Sequence, residues 1–60
     1  MTMENRIAQA IENGYDYDVF ETGDGQNVLQ IFLSSYVFIE YVYEDGDEIS
    51  VEEISAYPLP

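Results

Sequence analysis

The sequence contains no cysteine, no histidine and no lysine, and these absences exclude most enzyme chemistry. Without cysteine, the chain forms neither disulfides nor thiolate metal sites. Without histidine, it has no imidazole base and no histidine-held zinc or iron. Without lysine, it has neither a Schiff-base amine nor the lysine of a phosphate-binding loop. We therefore expect a protein that is not an enzyme, has no catalytic residues and uses no cofactor.

Positive charge is almost absent as well. Arg6 is the one basic residue against thirteen aspartates and glutamates, which gives a formal net charge of −12 for 60 residues. We interpret Arg6 as a local charge balance for Glu12 or for a carboxylate of a strand. A net charge of about 2–8 keeps a small domain soluble, and a larger one adds self-repulsion. The excess indicates a function for the carboxylates, with plain solubility or adaptation to high salt as the alternative.

Long apolar runs are missing too. None approaches the roughly 18 residues that span a bilayer, and the N-terminal residues lack the basic and then apolar pattern of a secretory signal. Anionic membrane surfaces would repel a chain of this charge. The sequence thus predicts a cytoplasmic protein without a membrane partner.

The residues that are present favour a folded chain. Hydrophobic residues make up 47% and aromatic residues 15%, more than a disordered acidic tail carries. A chain of this length forms one domain at most and buries only about 60% of the surface that it exposes when unfolded. We therefore predict a single acidic domain over residues 1–60, with low stability.

Residues 2–13 carry the pattern of a helix. Thr2 is a suitable N-cap, and Gly14 is a suitable stop after the last turn. Apolar side chains recur every four residues and predict one narrow buried face made of Met3, Ile7 and Ile11, flanked by Ala8 and Ala10.

From Tyr15 onward the apolar period changes to two, as in half-buried strands. We predict strands over residues 15–21, 27–33 and 36–43, with a turn over residues 22–26. The buried side of the second strand is expected to consist of Leu29, Ile31 and Leu33.

The end of the chain is compatible with two structures. Ser50–Glu53 matches a capping box that would start a short helix through Tyr57. The preferred prediction is a fourth strand over Glu48–Val51, followed by an irregular tail. The predicted fold class is α+β, with one N-terminal helix over about residues 2–13 packed on a three- or four-stranded antiparallel sheet over about residues 15–52.

The hairpin before the last strand also has two possible registers. We predict a three-residue loop over Glu44–Gly46, which places Tyr41 opposite Ile49. A two-residue Asp45–Gly46 turn would instead pair Val42 with Ile49.

The acidic stretch over residues 44–48 is the best candidate for a cation site. It concentrates four acids around one glycine, and calcium and magnesium prefer oxygen ligands. Because the stretch lacks the ligand spacing of a calcium loop, we expect weak non-specific binding and no dedicated metal site.

A folded domain with this many carboxylates imitates the charge of nucleic acid. Residues two apart on a strand, such as Asp16 and Asp18, lie on one face about 6.6–7 Å apart. A compact 60-residue domain spans about 25 Å, and duplex DNA of that length carries about 15 phosphates. That number is close to the net charge of −12. We therefore expect the domain to fill a protein groove that normally binds DNA.

In these features the chain resembles the very small, acidic, phage-encoded inhibitors that mimic DNA, among them anti-CRISPR and anti-restriction proteins. The similarity lies in the N-terminal helix, the tyrosine–aspartate strand over residues 15–21 and the Asp-Gly turns, and it extends over the whole chain through architecture and composition. It implies an inhibitor that acts in the cytoplasm of an infected bacterial host. Such an inhibitor would evade host defence by occupying the site where a CRISPR effector reads the protospacer-adjacent motif. The implied partner is a basic DNA-binding protein, with no direct binding of nucleic acid.

The candidate partner contacts are acids expected to be exposed on the strands and hairpins: Asp16, Asp18, Glu21, Asp24, Glu40, Glu44, Asp45, Asp47 and Glu48. Glu52 and Glu53 are further candidates whose placement depends on the end of the chain. Most of the six tyrosines are expected in the core or packed on the sheet, and one or two at a rim could anchor a partner.

Other functions are compatible with the same residues. A small regulatory or antitoxin-like module with a basic target would use similar acids, and an inhibitor of restriction or repair enzymes would differ only in its target. A homodimer could form through a free sheet edge. A DNA mimic should compete with DNA and lose affinity steeply as salt rises, whereas a regulator would leave DNA occupancy unchanged.

Overall fold

The computed structural model describes residues 1–55, in which one helix precedes four strands. The elements are α1 (Met3–Asn13), β1 (Asp16–Glu21), β2 (Asn27–Phe32), β3 (Val37–Glu44) and β4 (Asp47–Ser55). The strands form one antiparallel sheet in the order β1-β2-β3-β4. The predicted α+β fold class is confirmed, and the sheet has four strands. No helix within residues 1–55 has the length and apolar character of a membrane span.

The helix α1 begins and ends at its predicted capping residues. Thr2 Oγ1 accepts a hydrogen bond from the Asn5 backbone N–H at 3.1 Å, which satisfies one free donor of the first turn. Gly14 adopts the left-handed conformation with φ of 75°, which glycine tolerates best. Its N–H donates to the carbonyls of Ala10 and Ile11, so the last turn is also capped.

The buried face of α1 differs from the predicted one on one flank. Ala10 is buried, and Met3 and Ile7 pack against the core cluster. Ile11 is 62% exposed, so its predicted place on this face is wrong. Successive helical residues are about 100° apart around the axis. A contact centred on Met3, Ile7 and Ala10 therefore turns Ile11 away from the sheet.

The centre of the core lies between α1 and the two inner strands. The buried cluster consists of Ala10, Leu29, Ile31, Tyr41 and Tyr43. Leu29 pairs with Tyr41 across β2 and β3, and paired residues share a face. We call this side of the sheet the helix-covered face. Leu33, predicted on the same side, is 36% exposed because β2 ends at Phe32 and Leu33 belongs to the following turn.

A two-residue turn joins β3 and β4. Asp45 and Gly46 have φ of 53° and 85°, and Glu44 pairs with Asp47. Two central residues with positive φ are typical of a type I′ turn, whose twist matches the twist of the flanking strands. The predicted three-residue loop is therefore wrong.

A β-bulge then shifts the register of β4. The irregularity lies between the pairs of Tyr43 and Val42, so Ile49 has no direct partner and Val42 pairs with Ser50. Tyr41 consequently lies opposite Val51. Neither predicted pairing of Ile49 is correct, because a bulge inserts one residue on one strand alone.

The last strand is longer than predicted. β4 continues to Ser55, which pairs with Val37, so the whole length of β3 is paired. The alternative helix is wrong over residues 50–55, and its remaining residues, Ala56 and Tyr57, lie outside the described part of the chain. Pairing with β3 satisfies backbone groups that an irregular tail would leave to water.

Candidate partner-binding surface

The sheet has a second face that no helix or strand within residues 1–55 covers. Side chains alternate along each strand and paired residues share a face, so the register assigns the residues of this helix-free face. Six of its side chains are carboxylates: Asp16, Asp18, Glu40, Glu44, Asp47 and Glu52. The others are Phe20, Val28, Gln30, Phe32, Phe38, Val42, Ser50 and Ile54.

These side chains form rows that cross all four strands. The central row is polar and consists of Asp18, Gln30, Glu40 and Glu52. The row on one side consists of Asp16, Phe32, Phe38 and Ile54. The row on the other side consists of Phe20, Val28, Val42 and Ser50. Because neighbouring rows are about 6.6–7 Å apart, the acids of the central row lie between two mostly apolar rows.

Two carboxylates in the central row lie directly opposite each other. Glu40 on β3 pairs with Glu52 on β4, and cross-strand partners have Cβ atoms about 4.5–5.5 Å apart. The Gln30 side-chain amide donates a hydrogen bond to Glu40 Oε2 at 2.9 Å, but this amide carries no charge. Like charges in directly opposite positions destabilise a sheet. Local conflicts of this kind are expected at functional sites.

The side chain of the one arginine binds a carboxylate on the helix-covered face. Arg6 Nε donates to Glu48 Oε1 at 3.1 Å, and Nη2 donates to Oε2 at 3.3 Å. The Arg6 guanidinium carbon lies 4.4 Å from the centroid of the Tyr41 ring, and the Tyr43 hydroxyl donates to Glu48 Oε1 at 2.9 Å. The interpretation of Arg6 as a charge balance for a strand carboxylate is confirmed.

This cluster changes the ionisation of its members. Hydrogen bonds from Arg6 hold the pKa of Glu48 below its ordinary value and raise the pKa of Arg6 in return. Burial, followed by the hydrogen bond to Glu48, raises the pKa of Tyr43 to about 12. The cluster ties α1 to β3 and β4, and it leaves no basic side chain to balance the remaining acids.

The structure places the nine predicted contact residues in different environments. Five of them share the helix-free face: Asp16, Asp18, Glu40, Glu44 and Asp47. The expectation of an exposed carboxylate is wrong at Glu40 and Glu48, which are both half-buried. Only 17% of the Glu48 side chain is accessible, and Arg6 binds it. Glu21 pairs with Asn27 on the helix-covered side. Asp24 accepts a hydrogen bond from Thr22 within the β1–β2 turn, and Asp45 lies in the β3–β4 turn.

The remaining candidates define an acidic end of the sheet. The β1–β2 and β3–β4 turns lie at the same end, because Asn27 at the start of β2 pairs with Tyr43 near the end of β3. The first residues of α1 reach this end as well, since Glu4 lines a shallow pocket together with Asn27 and Gly46. We call this region the acidic end; its carboxylates belong to Glu4, Glu21, Asp24, Glu44, Asp45, Asp47 and Glu48.

The number of charges per unit length of the protein is lower than the sequence predicted, because that prediction assumed a compact sphere. The chain forms a slab with extents of 40, 28 and 15 Å. Duplex DNA 40 Å long carries about 24 phosphates, so the net charge of −12 is about half as dense. All the carboxylates except those of Glu12 and Glu53 lie on the helix-free face or at the acidic end, so the charge is unevenly distributed.

Within residues 1–55, no three carboxylates converge as they would around a metal ion. The acidic stretch over residues 44–48 is divided by the sheet: Glu44 and Asp47 lie on the helix-free face, whereas Glu48 lies on the helix-covered face. A strand alternates its side chains between faces, so adjacent acids in sequence do not form one ligand set here.

The sequence interpretation named no phenylalanine of the helix-free face as a candidate contact. Phe32 and Phe38 lie on the helix-free face with ring centroids 5.7 Å apart, and Phe20 on the same face is 41% exposed. The alternation Phe38-Glu40-Val42-Glu44 was the available signal. Among the tyrosines, Tyr41 and Tyr43 are buried as expected, but three others have exposed side chains: Tyr15, Tyr17 and Tyr36.

Comparison with known proteins finds no relative of this chain. The chain matches no protein-family model, no curated protein and no solved structure.

Proposed function

We propose that this protein is a non-enzymatic inhibitor that occupies the basic DNA-binding groove of another protein, with a CRISPR effector at its protospacer-adjacent-motif site as the first target class. One observation carries the proposal: the single arginine binds Glu48, so the carboxylates of the helix-free face and the other carboxylates of the acidic end have no basic side chain to pair with. Such a surface attracts a groove rich in lysine and arginine.

The sheet supports this function by holding the acids in place. Strand residues two apart are separated by about 6.6–7 Å, and neighbouring strands by about 4.8 Å. Asp16, Asp18, Glu40 and Glu52 therefore form a two-dimensional array rather than a flexible tail. Less conformational entropy is lost when an ordered array binds. The lysines and arginines that bind it are no longer available to phosphates, so DNA is excluded.

The choice of target class rests on the resemblance to small acidic phage inhibitors. Restriction and repair enzymes are the second target class, because their DNA grooves present the same basic chemistry. Direct binding of nucleic acid is disfavoured by repulsion between the phosphates and a protein with a net charge of −12. We place the action in the cytoplasm of the infected host, where these DNA-binding enzymes work.

The test is displacement of a labelled DNA duplex from purified CRISPR effectors, restriction enzymes and repair enzymes, followed by fluorescence anisotropy. The test variant reverses two charges on the helix-free face: Asp16→Lys and Asp18→Lys. The control variant reverses two charges outside both the helix-free face and the acidic end: Glu12→Lys and Glu53→Lys. Each substitution adds two charges, so both variants change from −12 to −8.

We expect the wild type and the control to displace DNA, and the test variant to bind at least about tenfold more weakly, since exposed ion pairs contribute about 0.2–1 kcal/mol each and reversal makes them repulsive. Binding should weaken steeply as salt rises. Equal displacement by the two variants would contradict the proposal. Tight binding that leaves DNA in place would instead favour a regulatory module, and unfolding at low salt without any partner would favour adaptation to high salt.

A further inference from the structure

We infer that the helix-free face binds arginine side chains of its partner in preference to lysine, at a site made by Phe38, Glu40 and Glu52. The inference rests on the proposed function, because it names the chemistry of the basic partner. It starts from the way in which the protein binds its own arginine.

The Arg6 site shows how this sheet holds a guanidinium. The group stacks over the Tyr41 ring, with 4.4 Å between its central carbon and the ring centroid. It also donates two hydrogen bonds to the two carboxylate oxygens of Glu48, at 3.1 and 3.3 Å. A planar, delocalised cation is suited to both contacts at once, since its face stacks and its edge binds a carboxylate in fork geometry.

The same arrangement of neighbours occurs on the opposite face of the same two strands. Glu48 on β4 lies opposite Tyr43, two residues beyond the stacking ring of Tyr41. On the helix-free face, Glu52 on β4 lies opposite Glu40, which is two residues beyond Phe38. In both places an aromatic ring on β3 has a carboxylate as its diagonal neighbour on β4, a separation that long side chains bridge. Because of the β-bulge near Glu48, the two sites have corresponding neighbouring residues, but the distances between those residues are not the same.

One position differs, and the difference favours an external arginine. Tyr43 donates a hydrogen bond to Glu48 in the internal site, whereas Glu40 occupies the corresponding place on the helix-free face and adds a second negative charge. Glu40 and Glu52 repel each other, and the hydrogen bond that Glu40 accepts comes from the neutral amide of Gln30. A guanidinium between the two carboxylates would relieve this repulsion and bond to both.

The aromatic part of the site discriminates between the two basic side chains. The Phe32 ring lies 5.7 Å from the Phe38 ring, so the stacking surface is wider than one ring. Arginine stacks on such a surface and is weakly hydrated, while the lysine ammonium is a compact and strongly hydrated point charge. Charge alone would not make the site prefer arginine to lysine, because both carry one positive charge, but stacking on the rings would.

Charge complementarity also selects the occupant of this face. A second copy of the chain would bring six more carboxylates against the six already there, with Arg6 of each copy held by its own Glu48. That repulsion disfavours self-association through the helix-free face. A protein surface that presents arginines matches both the charge and the partly accessible rings of Phe32 and Phe38.

The test compares two synthetic probes of equal length and charge, an arginine–glycine repeat peptide and a lysine–glycine repeat peptide, with the full chain by calorimetry and amide chemical shifts. We expect the arginine peptide to bind about two- to fivefold more tightly, the range for stacking of a cation on an exposed ring. Its largest shifts should lie at Phe38, Glu40 and Glu52. Phe38→Leu should remove the preference but retain binding of the lysine peptide.

A charge-matched pair of variants separates the site from general attraction. Glu40→Gln/Glu52→Gln should weaken both peptides more than Glu12→Gln/Glu53→Gln, since only the first pair lies at the site. If Phe38→Leu fails to fold, these two double variants still test whether the peptides bind at Glu40 and Glu52. Equal affinity for both peptides, or shifts confined to the acidic end, would overturn the inference and leave DNA displacement intact. Arginine preference without DNA displacement would instead overturn the proposed function.

Discussion

The two faces of this sheet differ in whether a carboxylate at their centre is bound by a cation. On the helix-covered face, Glu48 is bound by Arg6 and Tyr43, and within residues 1–55 no buried side-chain polar atom lacks a hydrogen-bond partner. On the helix-free face, Glu40 and Glu52 lie opposite each other without a cation. Charge is therefore balanced where burial makes an unpaired charge costly, and it is left unbalanced where solvent or a partner can reach it.

The faces also differ in how they contribute to folding. The core cluster lies wholly between α1 and the helix-covered face, whereas Val28 is the only side chain of the helix-free face among the buried hydrophobic residues of the described chain. A sheet packed on one side draws most of its hydrophobic stabilisation from that side. The residue types on the other side are then less constrained by packing.

The largest expected effect is at the centre of the core. Leu29→Ala should destabilise the protein by about 2–5 kcal/mol, because it removes a fully buried side chain and leaves a cavity. A domain of this size has a free energy of unfolding of about 3–9 kcal/mol, so the variant should be close to unfolding at room temperature. Urea denaturation followed by circular dichroism measures the change. Ile54→Ala, on the helix-free face, is the control; an equal loss there would remove the distinction between the faces.

An intermediate and pH-dependent effect is expected at Glu48. Its pKa is lowered in the folded state by Arg6, so its stabilising contribution is complete above its ordinary pKa of 4.5 and is lost as pH falls through the lowered value. Glu48→Gln should therefore be less stable than the wild type at pH 7, and the difference should shrink in acid. Thermal denaturation of both proteins over a pH series measures this difference.

Glu40→Gln is the matched comparison for that pH series. Within residues 1–55, the one ion pair joins Arg6 to Glu48 and does not involve Glu40, so Glu40→Gln should not reproduce the acid-dependent loss. A gap between wild type and Glu48→Gln that stays constant down to the lowest pH would show that the Arg6 contact does not contribute through ionisation.

The smallest expected effect has the opposite sign. Glu40→Gln removes one of two facing negative charges while keeping an oxygen for the Gln30 hydrogen bond, so it should stabilise the protein by about 0.2–1 kcal/mol at low salt. The gain should shrink above about 0.1 M salt, where exposed charges are screened. Urea denaturation at two salt concentrations measures it, with Glu12→Gln on α1 as control. A loss of stability would mean that Glu40 supports the fold rather than a partner.

Local signals in the sequence predicted the elements well. Thr2 and Gly14 marked the ends of α1 because capping depends on residues within one turn. The alternation after Tyr15 marked the strands, and the glycines and polar residues of Thr22–Gln26 marked a turn, which is closed by the hydrogen bond from Thr22 N to Gln26 O at 2.9 Å. Each of these features is decided by neighbours in sequence.

The errors concern features that depend on packing between elements. Ile11 continues the apolar repeat of α1, but the contact with the sheet is centred elsewhere. The Asp45–Gly46 turn and the bulge at Ile49 together set the register of β4. A bulge leaves no clear mark in a sequence, because it is stabilised by the pairing of the whole strand. The candidate site was affected in the same way, since acids were grouped by sequence rather than by face.

The sequence by itself determined the charge, the absence of cysteine, histidine and lysine, the capped helix and the positions of the strands, since each depends on residue types and local spacing. Tertiary structure alone decided that Glu48 binds the single arginine and that Glu40, Glu52 and Phe38 share the uncovered face. The physical reason is the two-residue period of a strand. A shift of one residue in register moves every side chain to the opposite face, and the register is decided by contacts between strands distant in sequence.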